Sequence, residues 1–99
     1  DILSPDNVVD VSLFESQSEY DLLEVVKSIE PIVMSKSYDK YSALVDRLAI
    51  ASKYLEAFFD GDQSVMVMVD DLAIKSNRLN LLAVLRNQAF ILARFTYII

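Results

Sequence analysis

Apolar positions recur with a helical period in three stretches of this chain, and short polar runs separate them. The first stretch carries Leu22, Leu23, Val26, Ile29 and Val33, spaced for one face of a helix. Ser16 followed by Glu19 has the spacing of a capping box, so the helix is predicted to start at Ser16. Pro31 falls late in the run and is expected to kink or restart it, with the end near residues 34–36. Ser37 to Lys40 reads as a polar turn with Asp39 as N-cap. A second helix then runs to about Phe59 on a stripe of Tyr41, Leu44, Val45, Leu48, Leu55, Phe58 and Phe59. Residues 60–64 form the clearest loop. The apolar run Val65 to Val69 has the propensity of a short buried strand. Asp70 and Asp71 close it and suit the positive end of a third helix, which meets no breaker before Tyr97 and would be ~40 Å long. That helix is apolar over most of its circumference, with a narrow polar stripe at Ser76, Asn80 and Asn87, and is predicted to be the central, covered element. Residues 1–15 form a lead-in with a Ser4-Pro5 turn and a short helical turn between Val8 and Phe14. The pattern predicts one all-α domain over residues 1–99, a bundle of three main helices with short extra turns.

Composition supports that class and removes several chemistries. One Gly and two Pro in 99 residues leave few tight turns for a sheet. There is no Cys and no His, so disulfides, thiol nucleophiles, the usual general base and most transition-metal sites are excluded. No apolar run is long enough to span a bilayer, and no signal-peptide pattern opens the chain. It begins at Asp1 rather than Met and is expected to be a fragment or processed product. The net charge of −6 opposes binding of a polyanion, but its distribution alters the picture. Residues 1–30 hold eight acids against Lys27, a balance of −7, whereas residues 31–99 carry +1.

The second half carries an ordered series: Phe58-Phe59-Asp60, Val65-Met66-Val67-Met68, Asp70-Asp71, Asn77-Arg78-Leu79, Leu81-Leu82 and Leu85-Arg86. Upstream stand Leu13-Phe14-Glu15, Tyr38-Asp39 and Ala43-Leu44. Over about residues 13–98 this series resembles the C-terminal, helical anticodon-binding domain of glycine–tRNA ligase beta subunits, a family named for its Asp-Ala-Leu-Arg motif. The related domain of arginine–tRNA ligases is the nearest alternative, and the Val-Met-Val-Met segment leading to Asn77-Arg78-Leu79 favours the glycine enzyme. Lys75 stands where Arg is more familiar, and Arg94 where an acid is expected. The resemblance implies a non-catalytic segment that recognises the anticodon arm of glycine tRNA. It also implies the rest of a beta subunit and an alpha subunit as partners, with neither membrane nor DNA. No cofactor is expected in the segment itself, the parent using ATP and magnesium. The implied location is the bacterial cytoplasm or an organelle stroma or matrix.

No catalytic residue is expected. Lys75, Arg78 and Arg86 lie within an arc of ~80° on the third helix, so one rigid face could neutralise neighbouring phosphates. The alternative for Arg78 is an ion pair with Asp46 or Asp71 inside the bundle. Lys36, Tyr38 and Lys40, with Tyr41, gather cations and aromatic rings at the first turn, a combination that suits stacked single-stranded bases. Against that, Tyr41 opens the core stripe and the lysines need only water. Asp60, Asp62, Ser64 and Asp71 look loosely like a calcium loop, but Val65 stands where its turn needs Gly. A different class of function remains open: a helical protein-interaction or subunit-docking module.

Overall fold

The computed structural model describes residues 2–35, 40–60 and 70–98, without side chains for 60 and 92–98. Three helices form: α1 (Gln17–Val33), α2 (Lys40–Asp60) and α3 (Leu72–Ile98), preceded by a single 3₁₀ turn at Val11–Leu13. No strand occurs among the described residues. The expected polar turn, with Lys36, Tyr38 and the Asp39 cap, and the loop and apolar run at 61–69 lie outside the described residues.

The capping box at the start of α1 forms as its spacing predicts. Its firm half is the Glu19 carboxylate, whose Oε1 accepts from the amides of Glu15 at 2.9 Å and Ser16 at 3.1 Å. The Ser16 hydroxyl contributes little, because the Glu19 amide donates to the Ser16 carbonyl instead. Pro31 does not restart the helix. Its ring faces solvent and α1 continues to Val33. At α3 the Asp71 carboxylate accepts from the amides of Ala73 (2.9 Å) and Ile74 (3.2 Å), the N-cap read from the sequence.

The core forms around α1 rather than α3. Leu22, Leu23, Val26, Ile29 and Val33 are all buried, and α1 packs against both α2 and α3, which meet each other far less. From α2 come Leu44, Ala51 and Phe58; from α3 come Leu81, Val84 and Leu85. Val45 and Phe59, expected on the core stripe of α2, are exposed instead, because they lie away from the buried line of Leu44, Ala51 and Phe58. The expectation of a central α3 fails for a visible reason. Only one of its apolar faces meets α1, while Leu72, Leu79 and Phe90 point to solvent.

A third side of α3 carries amides, and these hold the lead-in. Asn77 grips the Asp10 backbone twice: its Oδ1 accepts from the Asp10 amide at 2.6 Å, and its Nδ2 donates to the Asp10 carbonyl at 2.8 Å. Asn80 donates to the Val8 carbonyl, Asn87 to that of Ile2, and Gln88 to those of Leu3 and Val26. The chain bends between these anchors through Pro5, whose carbonyl accepts from the amides of Val8 and Val9. Asn7 supplies the one positive φ among the described non-glycine residues, 70°, a conformation that Asn tolerates well. The Ser12 hydroxyl and then its amide, both donating to Asp10, hold that carboxyl below its ordinary pKa. Truncating Asn77 leaves the Asp10 backbone groups without partners, so Asn77→Ala is expected to cost about 1–3 kcal/mol. It should also speed hydrogen exchange at the Asp10 amide; unchanged exchange there would mean that the clamp is incidental.

Candidate functional site

The three cations predicted to share one arc of α3 separate in the structure. Arg78 lies at the edge of the arc that turns toward α1, and it is buried. Its Nη2 donates to Glu15 Oε1 at 3.0 Å and to Glu19 Oε1 at 3.3 Å, and its Nε donates to Glu19 Oε2 at 3.3 Å. Glu19 is fully buried, whereas the Glu15 side chain is 60% exposed. One carboxylate thus caps α1 and ties α3 to it. The ion pair anticipated for Arg78 exists, but its described partners are Glu15 and Glu19 rather than Asp46 or Asp71.

Lys75 and Arg86 turn the other way. Lys75 is partly exposed one turn into α3, and Arg86 is exposed three turns further on, ~16 Å along the axis. The described contact of the Arg86 guanidinium is a long one, 3.4 Å to Asn87 Oδ1. Arg86 also lines an apolar groove between α2 and α3, together with Leu55, Phe59, Leu79 and Leu82.

At the first turn, Lys40 has a structural task. Its ammonium donates to the carbonyls of Ser35 at 3.1 Å and Val33 at 3.4 Å, closing the C-terminus of α1, and stands 5.3 Å from the Tyr41 ring centre. A cation there also complements the helix dipole. Lys36 and Tyr38 lie outside the described residues. Among the described residues no group of three carboxylates gathers in a way that could hold a metal ion, and no helix is long and apolar enough to cross a membrane.

The spacing of Asn77, Asn80, Asn87 and Gln88 on an otherwise apolar helix was the available signal for the lead-in clamp. Two of these four belong to the predicted polar stripe; Asn77 and Gln88 lie ~80° round the helix from it, on the side toward the core, and both are buried. Nothing local marked Glu19 as the partner of Arg78, since the pair spans 59 positions.

The chain is similar to curated glycine–tRNA ligase beta subunits. It is 40% identical over 100 residues to that of Picosynechococcus sp., an alignment covering all of this chain and 14% of the relative. It is 41% identical over 103 residues to that of Acaryochloris marina, again covering all of this chain and 14% of the relative. It is 40% identical over 91 residues to that of Streptococcus mutans, covering 92% of this chain and 12% of the relative. The chain therefore spans about one seventh of the length of the relatives it matches. No family model matches it, and no solved structure does.

Proposed function

We propose that this chain is a segment of a glycine–tRNA ligase beta subunit and contacts the anticodon arm of glycine tRNA without taking part in catalysis. The observation that carries this reading is the similarity to subunits of that name along the whole chain, at about 40% identity in several bacteria. Aminoacylation, with its ATP and magnesium, would belong to the rest of the beta subunit and to the alpha subunit. Such an enzyme would work where translation proceeds, in the cytoplasm or in an organelle stroma or matrix.

Charge separation supports the contact surface. The described acids of residues 2–30 lie on the lead-in and α1, and Asp21, Glu24 and Lys27 are at least partly exposed there. Lys75 and Arg86 stand on the opposite side of α3 from its lead-in clamp. Phosphate would meet these two cations, while Arg78 sets the helix in place from inside. Lys36, Tyr38 and Lys40 would form a second point of contact at the first turn.

Phosphate contacts release counterions, so affinity for glycine tRNA should fall as salt rises. Lys75→Ala and Arg86→Ala are each expected to weaken binding and to flatten the logarithmic salt slope by roughly 0.7–0.9. Lys27→Ala, on α1, should change neither quantity. Wild-type affinity and slope in both α3 variants, with the fold intact, would move the RNA surface to the first turn.

A further inference from the structure

The groove between α2 and α3 has a volume of about 490 Å³, within the size range of small-molecule sites. Resting on the reading of this chain as a tRNA-contacting segment, we propose that the groove seats one unpaired nucleotide, its base stacked on Phe59 and its phosphate held by Arg86.

Phe59 is 48% exposed although it sits on a helix that buries its neighbour completely. Its ring is braced by Phe58, edge to face, with centroids 5.4 Å apart and planes at 80°. A braced aromatic ring open to solvent offers a stacking surface that loses little freedom when a base arrives. The opposite wall comes from α3. Ala83 and Ala89 line it, and their side chains end at Cβ, leaving space where longer residues would close the helices together. Leu55, Leu79 and Leu82 supply the remaining apolar contact.

Among the described residues that line the groove, Arg86 is the one that carries a charge. The described lining offers an apolar slot beside a guanidinium, which matches a base joined to a phosphate. Arg is also suited to this place because its planar fork grips phosphate oxygens bidentately.

The chain contains no Trp, so Phe59→Trp introduces a single fluorophore at the stacking position. Titrating this variant with glycine tRNA transcript should quench its emission to a plateau. Ala83→Leu fills the groove while retaining a good helix former, and should lower affinity by about tenfold with an unchanged circular dichroism spectrum. Phe59→Ala should produce a similar loss. If the wild-type chain binds the transcript but emission is not quenched and Ala83→Leu binds equally well, the seat is wrong while tRNA contact stands. If the wild-type chain binds no transcript, the function proposed above fails and the seat with it. Quenching by a ligase alpha subunit, and none by the transcript, would make the groove a protein interface and overturn the proposal.

Discussion

Glu19→Ala is expected to destabilise the fold by about 3–5 kcal/mol, the usual consequence of removing one member of a buried ion pair. The Arg78 guanidinium is almost wholly buried and would keep only Glu15, which is largely in water, as an acidic partner among the described residues. The same substitution frees the amides of Glu15 and Ser16 that the carboxylate now satisfies. Arg78→Ala should cost a similar amount, because Glu19 would then be buried without its cation. The double variant should be clearly less destabilised than the sum of the two, since the groups act on each other. Urea denaturation of the four proteins measures this directly. A loss below ~1 kcal/mol in both single variants, or strict additivity, would mean that the pair does not join α1 to α3.

Phe58→Ala should cost about 3–5 kcal/mol, and Leu85→Ala about 2–5 kcal/mol, through the cavities they leave. Phe58 is completely buried at the meeting of α2 with the core, and Leu85 is nearly so on α3. Leu72→Ala serves as the contrasting case. Leu72 is 74% exposed at the start of α3, so its truncation should change stability by no more than ~0.5 kcal/mol. Equal denaturation midpoints for Phe58→Ala and Leu72→Ala would show that the buried and open faces of the helices are assigned wrongly.

These contrasts mark how far the sequence is readable. Helix existence and type follow from periodicity. The α1 stripe read from spacing is buried throughout, and the Glu19 and Asp71 carboxylates named from the sequence cap α1 and α3. Spacing alone was weaker on α2, where Val45 and Phe59 have apolar side chains at the edge of the stripe and Ala51, too small to stand out, is buried. On α3 apolar residues occur nearly all round, so periodicity could not say which side meets the core. The buried amides and the Glu19 partnership settle that, and both depend on contacts between distant parts of the chain. For the candidate site, the arc of Lys75, Arg78 and Arg86 was legible as geometry. That Arg78 turns inward was not, because ~80° of rotation on a helix separates this buried ion pair from the exposed Arg86.

Chemical-shift mapping of this 11.2 kDa chain during titration with glycine tRNA tests the central claim most directly. The expected result is a set of saturable shifts at Lys75, Leu79 and Arg86 that weaken as salt rises, with Asp21, Glu24 and Lys27 on α1 unchanged. Shifts confined to α1, or none at tRNA concentrations that saturate the ligase, would contradict the account.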